Sequence, residues 1–455
     1  MKRILISGVK SGSGKTTVTC GILKALIDRG YDVSSFKCGP DYIDPMFHTS
    51  VIGACSRNLD SFFCDTPTLK HVIKKNAKDI SVIEGVMGYF DGAGAAGSSM
   101  DIAVKTETPA VIVIDCKGMA ASIGAVICGF LEFQKPNNIC GFIFNRLPES
   151  LVPDVKKMCD TFHTEYLGRF PTADECMIES RHLGLVTSDE IDNLKEKVSR
   201  LAGLCEDNID IDRILEIASE APDIDDDEIS IERVTDENVR IAVAKDKAFC
   251  FHYEDNYDIL RSMGCEIVTF SPLNDEKLPE DINGIILNGG YPELYASELS
   301  ANKSMLKSIH DAVKSGVPTI AECGGFMYLH NKLEGNDGVK YSMASVIDGE
   351  AFKTGKLVRF GYINMKAEKD NMFVKQGETI RAHEFHYWDS TCTGESFLAT
   401  KPGRNIRYRC INGSDTLYAG FPHLYFYGNI KMAERFVICC EKAGKYGQNK
   451  QYKNA

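Results

Sequence analysis

No segment of the sequence approaches the ~20 consecutive apolar residues of a membrane-spanning helix. The apolar run in the opening MKRILISGV stops at Lys10, which is too short for the core of a secretory signal peptide. Positive charge is scarce as well, because 52 Lys and Arg stand against 64 Asp and Glu, for a formal net charge of −12. A general nucleic-acid binder shows a basic face instead. We therefore expect a cytoplasmic protein that binds neither membranes nor nucleic acids.

Paired CxxC cysteines are absent although the sequence has 17 cysteines, so zinc ribbons and CxxC redox centres are poorly supported. Most cysteines lie in apolar runs such as VIVIDC and VICGF, where they act as small buried hydrophobes. Internal repeats are not evident either. With 455 residues the chain is too long for one ordinary core, and we expect two or three domains.

Short apolar runs alternate with helical patterns along the first half of the chain. The candidate strands are RILISGV, DVSSFKCG, ISVIEGV, PAVIVIDC and ICGFIFNRL, and KTTVTCGILKALIDRG predicts a helix that ends at Gly30. Strands separated by helices indicate a parallel sheet. The acidic residues 218–238 predict an exposed linker, and a second α/β alternation starts at VRIAVAKD. We predict two α/β domains, at 1–217 and 239–455.

The segment SGVKSGSGKTT, between the first strand and the first helix, has the composition of a phosphate-binding loop. Glycines let backbone N–H groups approach phosphates, and the helix N-terminus favours anions. The loop is one residue longer than GxxxxGK[ST], because Gly8 stands one position early. We predict that this loop binds ATP, with Thr16 also holding Mg²⁺. The predicted nucleotide-binding residues in the loop are Gly12, Gly14, Lys15, Thr16 and Thr17.

Three acidic side chains follow predicted strands and are candidates for contacts near this loop. They are Glu84 in VIEGVMG, and Asp41 and Asp44 in KCGPDYIDPMFH. Carboxylate oxygens suit Mg²⁺, so we predict Glu84 and Asp41 as metal ligands and Asp44 as a substrate contact. The alternative for each is an acid that caps a turn or a helix.

Two more residues near the loop have two interpretations each. Asn145, after the strand in ICGFIFNRL, can read an adenine edge or simply form a turn. Lys10 completes a K-x-G-x-G-K-T pattern that resembles the loop of partitioning ATPases, in which the extra lysine reaches across to the other subunit of a dimer. A homodimer and a solvated lysine are equally compatible with that pattern.

The segment VPTIAECGGFMYLH predicts a strand, a sharp turn at Cys323 and a helix. Its A-x-C-x-G pattern replaces the G-x-S-x-G of a nucleophile elbow, where small neighbours permit a strained backbone. A thiol at a helix N-terminus has more of the reactive thiolate form. We predict Cys323 as a nucleophile, with the backbone N–H groups of Gly324 and of Gly290 in ILNGGYPE as oxyanion donors.

A cysteine nucleophile usually needs a histidine base. His423 in TLYAGFPHLYFYGN follows a predicted strand and is our candidate, while His383 and His386 in RAHEFHYW are the rival pair. For these two, packing or turn hydrogen bonds are the ordinary alternative.

Together these motifs resemble the cobyrinate a,c-diamide synthase family, within the cobyrate-type ATP-dependent glutamine amidotransferases. The resemblance covers essentially the whole chain and rests on SGSGKTT, GPDYIDPMFH, RNLD, EGVMGYFDG, ESRHLGL, AVAKDKAFCFHYEDN, GGYPE, AECGGFMYL, HEFHY and FPHLYF. It implies a P-loop, dethiobiotin-synthetase-like N-terminal domain and a class I glutamine amidotransferase C-terminal domain. By this match Cys323 is the glutaminase nucleophile and His423 its base. Ordinary class I glutaminases have Pro-Glu after this histidine, but here Leu424 and Tyr425 follow, so the orienting acid is unassigned.

The resemblance implies ATP-dependent amidation of the a and c acetate carboxylates of cobyrinate, in cobalamin biosynthesis, with L-glutamine as nitrogen donor. We expect an acyl-phosphate intermediate, from which ammonia then displaces phosphate to give the amide. The candidate cations for this polyanionic tetrapyrrole are Lys10, Lys37, Arg57 and Arg181. One alternative is a,c-diamidation of another tetrapyrrole such as nickel-sirohydrochlorin. Another is a partitioning or regulatory ATPase, which would leave Cys323 unexplained.

Overall fold

The computed structural model describes residues 1–93, 96–172, 188–225 and 229–446. The chain forms two compact units, Met1–Ile229 and Ser230–Ala455. Both are α/β, and the first contains a parallel sheet, which confirms the predicted fold class. The boundary lies inside the acidic residues 218–238. Ala218, however, is buried on a helix that ends at Glu220, so the exposed chain begins later than the predicted 218.

The first unit has seven strands and eight α-helices among its described residues. The strands are β1 Arg3–Gly8, β2 Val33–Cys38, β3 Ser56–Leu59, β4 Ile80–Glu84, β5 Ala110–Asp115, β6 Ile139–Asn145 and β7 Glu165–Phe170. The helices are α1 Lys15–Asp28, α2 Ile43–Phe47, α3 Thr66–Asn76, α4 Ser99–Lys105, α5 Ser122–Glu132, α6 Val152–Thr161, α7 Ser188–Asn208 and α8 Ile211–Glu220. A π-helical turn, His48–Ile52, continues α2.

The seven strands pair in parallel, in the order β3-β2-β4-β1-β5-β6-β7. Every residue of β1, β2 and β4 is buried, as expected for central strands covered on both faces. Because the strands are parallel, their carboxyl ends lie at one edge of the sheet. The loops after β1, β2 and β4 therefore meet there.

The second unit has fourteen strands and five α-helices in the part of the chain that the structure describes. The strands are β8 Val239–Ala244, β9 Cys265–Phe270, β10 Gly284–Leu287, β11 Thr319–Glu322, β12 His330–Glu334, β13 Lys340–Ser342, β14 Ile347–Lys353, β15 Arg359–Ala367, β16 Thr379–His386, β17 Trp388–Ser390, β18 Phe397–Thr400, β19 Arg407–Cys410, β20 Asn412–Gly413 and β21 Leu417–Gly420. The helices are α9 Glu254–Ser262, α10 Ala296–Ala301, α11 Lys303–Lys314, α12 Gly324–Tyr328 and α13 Ile430–Ala443.

A six-stranded sheet, in the order β20-β21-β11-β10-β8-β9, is the core of the second unit. Its strands are parallel except for the pair β20 and β21. The carboxyl ends of β10, β11 and β21 are adjacent, which brings the turns after these strands together. Two four-stranded sheets, β13-β12-β14-β17 and β16-β15-β18-β19, are built from the segment between β11 and β20. Within the described residues, no helix is long and apolar enough to cross a bilayer.

Substitution by alanine at two helical glycines of the first unit should have opposite effects on the free energy of unfolding. An alanine Cβ at Gly21, on α1, would lie 2.5 Å from Cys205 Sγ and 3.0 Å from the Leu201 carbonyl oxygen on α7. Gly203, also on α7, has nothing within 4 Å of its Cβ position. We expect Gly21→Ala to lower the free energy of unfolding by about 1–3 kcal/mol, because the two helices must separate.

The matched control Gly203→Ala should raise that free energy by about 0.5–1 kcal/mol, through better helix propensity alone. Urea unfolding followed by circular dichroism measures both values. Equal midpoints for the two variants would contradict the close helix packing.

Candidate functional site

The loop between β1 and α1 has the backbone that phosphate binding requires. Gly12 and Gly14 have φ values of 77° and 93°, in the left-handed region that favours glycine. A Cβ on Gly14 would lie 2.2 Å from Nδ2 of Asn145, so a side chain there is also excluded by contact. Asn145 donates from this Nδ2 to the Ser13 carbonyl oxygen at 2.9 Å, which fixes the loop to the end of β6. Its predicted contact with adenine stays a prediction.

Lys15 and the two threonines after it form the first turn of α1, all of them half-buried. Thr16 Oγ1 donates to Glu84 Oε1 at 2.5 Å. Glu84 is the last residue of β4 and is fully buried. The loop and the acid are therefore in direct contact, as the strand order dictates.

Two further side chains bind the Glu84 carboxylate. Lys37 Nζ lies 2.9 Å from Oε1, and His48 Nε2 lies 3.1 Å from Oε2. On its other side, His48 Nδ1 is 2.8 Å from Ser35 Oγ. Burial alone would raise the pKa of Glu84, but Lys37, His48 and the Thr16 hydroxyl outweigh burial and lower it. Glu84 is thus an ionised acid held in the interior.

The burial of Lys37 differs from our prediction for this residue. We predicted a cation that faces a polyanionic substrate, but Lys37 is 2% exposed and its ammonium group is bonded to Asp44 and Glu84 and lies 3.3 Å from the Gly85 carbonyl oxygen. Burial lowers the pKa of Lys37, and the two carboxylates reverse this and raise it. The positive charge of Lys37 is therefore paired with carboxylates inside the protein.

Asp44 and Asp41 also have internal partners. Asp44, predicted to contact substrate, is bonded to Lys37 instead; burial and Glu84 raise the pKa of Asp44 to about 7, against the effect of Lys37. Asp41 Oδ1 accepts the N–H groups of Ile43 at 2.9 Å and Asp44 at 3.2 Å, so Asp41 caps the turn into α2. That is the alternative weighed for Asp41, and its metal role stays a prediction.

The other predicted cations are placed differently. Lys10 is exposed at the start of the loop, with its backbone N–H bonded to Ser13 Oγ at 3.1 Å. Arg57 is half-buried in the edge strand β3, and its Nη1 donates to the Ser56 carbonyl oxygen at 3.3 Å. Arg181 lies outside the described residues.

The donor atoms around Glu84 fit a magnesium ion. Thr16 supplies a hydroxyl oxygen and Glu84 a carboxylate oxygen, and these two are already adjacent. Mg²⁺ is commonly held by one or two protein oxygens, with substrate phosphates and water completing its shell. The pKa of Lys15 is lowered. Burial and the nearby positive charge of Lys37 lower it, and the opposing effects of Glu84 and Asp44 do not cancel them.

The ion pair of Lys37 generates a stability prediction. Lys37→Met leaves two buried carboxylates without their cation, and we expect the free energy of unfolding to fall by about 3–5 kcal/mol. The control Lys24→Met removes the half-buried lysine that pairs with the exposed Asp28, four residues away on α1, and should cost no more than about 1 kcal/mol. Urea unfolding at neutral pH measures both. Similar losses in the two variants would show that the buried pair is not stabilising.

In the second unit, Cys323 occupies the predicted sharp turn between β11 and α12. Its φ and ψ are 47° and −100°, a conformation that costs a non-glycine residue energy and marks a strained turn. The Cys323 N–H bonds to the Gly420 carbonyl oxygen at 2.8 Å, which anchors the turn to the end of β21. A Cβ on Gly325 would lie 2.2 Å from the Leu287 carbonyl oxygen, so the helix can begin there only with glycine.

The turn after β10 lies against this elbow. A Cβ on Gly324 would be 3.0 Å from the Gly290 nitrogen, so the two predicted oxyanion donors belong to touching segments. Gly290 has φ 152°, and its Cβ would lie 2.2 Å from the Ala248 carbonyl oxygen. A Cβ on Gly289 would be 2.6 Å from Cε1 of His423. These glycines let backbone and imidazole approach Cys323 closely.

His423 is the histidine that the fold brings to Cys323. It is 2% exposed, and its Nδ1 lies 3.3 Å from Oε2 of Glu322. Burial lowers the pKa of His423, but hydrogen bonds to Cys323 and Glu322 outweigh burial and raise it to about 10. An imidazolium beside a cysteine stabilises the thiolate, which is the form that a cysteine nucleophile uses.

The rival histidines have other roles in the packing. His383 pairs its backbone with that of His423, and the two rings lie 5.9 Å apart. Burial first, and the nearby positive charge of His423 second, lower the pKa of His383 well below its usual value. His386 stacks on Phe421 at 3.8 Å between ring centroids, with its Nδ1 2.6 Å from the Trp388 carbonyl oxygen.

Both halves of the chain match known domains. Residues 4–186 match the CobQ/CobB/MinD/ParA nucleotide binding domain, and residues 240–429 match the CobB/CobQ-like glutamine amidotransferase domain. A cobyrinate a,c-diamide synthase of Caldanaerobacter subterraneus subsp. tengcongensis is 38% identical over 449 residues, which is 97% of this chain and 99% of the relative. The chain belongs to the cobyrinate a,c-diamide synthase family.

Two more synthases of this family show how far the similarity extends. That of Thermoplasma volcanium is 38% identical over 453 residues, or 97% of this chain and 98% of the relative. That of Priestia megaterium is 36% identical over 457 residues, or 98% of each. The predicted family is confirmed.

Sequence reasoning missed two site residues of this family member. His48 stands in the quoted segment GPDYIDPMFH, four residues after Asp44, a spacing that places both on one side of a helical turn. Glu322 directly precedes Cys323 in AECGG, so an acid next to the nucleophile was visible but was not connected to His423.

The buried imidazole of His386 generates a pH prediction. Burial lowers the pKa of His386 from 6.5 to about 3, although the Trp388 carbonyl opposes this. Between these two values the unfolded chain binds a proton that the folded protein does not. The free energy of unfolding should therefore decrease as the pH falls through this range, by up to about 1.4 kcal/mol per pH unit.

His386→Phe keeps a ring against Phe421 and should flatten this acid slope, even though it lowers stability at neutral pH. Substitution of the exposed His163 by Gln is the control and should leave the slope unchanged. Urea unfolding at several pH values gives the slopes. An unaltered slope in His386→Phe would contradict the neutral buried imidazole.

Proposed function

We propose that this protein is an ATP-dependent ligase that amidates the a and c acetate carboxylates of cobyrinate, with L-glutamine as nitrogen donor. The observation that carries the proposal is the elbow of Cys323 beside His423, in a chain that aligns over 97% of its length with a synthase of that name. The nucleotide-binding domain in the same chain supplies the second requirement.

The geometry of the second unit supports glutamine hydrolysis. The Cys323 sulfur attacks the side-chain amide carbon of glutamine as a thiolate, its proton being held by His423, and the N–H groups of Gly290 and Gly324 stabilise the resulting oxyanion. His423, protonated at neutral pH, donates its proton to the departing nitrogen, which leaves as ammonia. The neutral imidazole then activates water, which hydrolyses the thioester to glutamate and frees Cys323.

The first unit activates the acceptor carboxylate. The loop N–H groups at Gly12 and Gly14, together with Lys15, bind the phosphates of ATP, and the γ-phosphoryl group passes to the carboxylate, which gives an acyl phosphate and releases ADP. Ammonia displaces this phosphate to give the amide. When bound, Mg²⁺ would be held by Thr16 and Glu84 and would neutralise phosphate charge.

Several finer assignments remain part of the proposal. Asn145 would contact adenine as well as the loop, and Thr17 would support the nucleotide from the first turn of α1. Asp41 would lie near the metal. Arg57 and Lys10 are the remaining described cations for the polyanionic tetrapyrrole, and Lys10 is compatible with a homodimer. A cytoplasmic location likewise stays a prediction.

Replacement of the nucleophile separates the two half-reactions. With Cys323→Ser, we expect no amidation from glutamine, because a serine hydroxyl is a far weaker nucleophile than a thiolate, but amidation from ammonium salts should persist. Mass spectrometry of the tetrapyrrole product measures this as two successive acid-to-amide decreases. Cobyrinate and nickel-sirohydrochlorin are offered in parallel to identify the acceptor.

The control is Cys439→Ser, whose hydroxyl can retain the bond of Cys439 Sγ to the Asp415 carbonyl oxygen. This variant should use glutamine normally. Undiminished glutamine-fed product with Cys323→Ser would refute the proposal. Glutamine-independent ATP hydrolysis without any tetrapyrrole product would favour a regulatory ATPase instead.

A further inference from the structure

A histidine base works well only if a second group holds its ring and fixes its tautomer. In this chain the residues after His423 are Leu424 and Tyr425, which carry no carboxylate. The contacts of the ring point to an acid from a different strand. We propose that Glu322, the residue before the nucleophile, is the positioning residue of His423; this rests on the glutaminase chemistry proposed above.

The contacts of Glu322 reach two places in the segment that carries the base. Oε2 lies 3.3 Å from Nδ1 of His423. Oε1 accepts the backbone N–H of Leu424 at 3.0 Å. One carboxylate therefore makes an ionic contact with the ring of His423 and a hydrogen bond with the backbone that follows it. The Glu322 side chain is 12% exposed and that of His423 3%, so water competes little for either group.

Strand pairing explains how an acid from β11 reaches a histidine after β21. The two strands are parallel neighbours, with Glu322 in register with Gly420. His423 follows Gly420 by three residues, so the chain turns back over the end of β11. The strained turn at Cys323 ends β11 directly after Glu322. In this way the acid and the nucleophile, adjacent in sequence, approach the same ring.

The two ring nitrogens have separate partners in this arrangement. Because Nδ1 faces Glu322, Nε2 is the nitrogen left for Cys323, which is also a hydrogen-bonding neighbour of the ring. A carboxylate at Nδ1 favours the tautomer with its proton on that atom, and it stabilises the imidazolium. Glu322 would thus orient His423, as the glutamate that follows the catalytic histidine does in ordinary class I glutaminases. The titratable groups near His423 on the packed strands are Glu322, Cys323, His383, Glu384 and His386.

A purely structural role for Glu322 would be the bond to the Leu424 N–H alone. Glu322→Gln distinguishes the two roles, because an amide oxygen can still accept that bond but carries no charge. Glu322→Asp keeps the charge on a shorter side chain. Glu441→Gln is a matched control elsewhere in the second unit, where Oε1 accepts from Thr235 Oγ1 at 2.6 Å with no histidine involved.

The experiment measures glutamine hydrolysis by the full-length protein across neutral and alkaline pH. For Glu322→Gln we expect kcat/KM to fall by about 10²-fold or more. The alkaline limb of its profile should move to lower pH by about 1–3 units, since His423 loses the nearby negative charge. Amidation from ammonium salts should be unchanged, and Glu322→Asp should recover part of the shift.

A second readout keeps the test independent of activity. In proton NMR of protein with labelled histidine, the Nδ1–H resonance of His423 should lie far downfield in the unchanged protein and move upfield in Glu322→Gln. A wild-type pH profile and resonance in Glu322→Gln would overturn the inference. Absence of glutamine hydrolysis in the unchanged protein would instead overturn the proposed function, and this inference with it.

Discussion

Hydrogen bonds between parallel strands hold neighbouring strand ends side by side in both units. In the first unit, β1, β2 and β4 end together, and the phosphate loop, the turn at Asp41 and the acid Glu84 meet because of it. In the second unit, β10, β11 and β21 do the same for Gly290, Cys323 and His423. Strand pairing thus makes neighbours of residues that are far apart in sequence.

Each site then depends on one buried ion with several partners. Glu84 is ionised inside the first unit because Lys37, His48 and Thr16 surround its carboxylate. His423 is protonated inside the second unit because Cys323 and Glu322 flank its ring. A buried charge is costly unless it is paired and hydrogen-bonded, so these neighbours are required by the fold as much as by chemistry. Lys37 and Asp44, which the sequence suggests as substrate contacts, therefore bond to other side chains of the site.

The sequence predicts those parts of the fold that long apolar runs encode. The strands at RILISGV and PAVIVIDC, the glycine-rich loop and the elbow at Cys323 all lie where the pattern places them. The short strand β3, with the polar sequence SRNL, has no such run and was not predicted. Neither were the two sheets between β11 and β20, whose strands are antiparallel apart from the parallel pair β12 and β14. The burial of Lys37 and the contact of Glu322 with His423 depend on which strands become neighbours, and no local pattern reports that.

The bridge from Glu322 makes the second site sensitive to one kind of movement. The same carboxylate reaches the His423 ring and the Leu424 backbone, while the amide of Cys323 is tied to the carbonyl of Gly420. A small slide of the end of β21 past β11 would stretch all of these links together, and rigid pairing of the two strands opposes it. Accurate spacing between thiol and imidazole is thus an outcome of sheet stiffness, and substitutions deep in the core of this sheet can disturb the chemistry without touching any reacting atom.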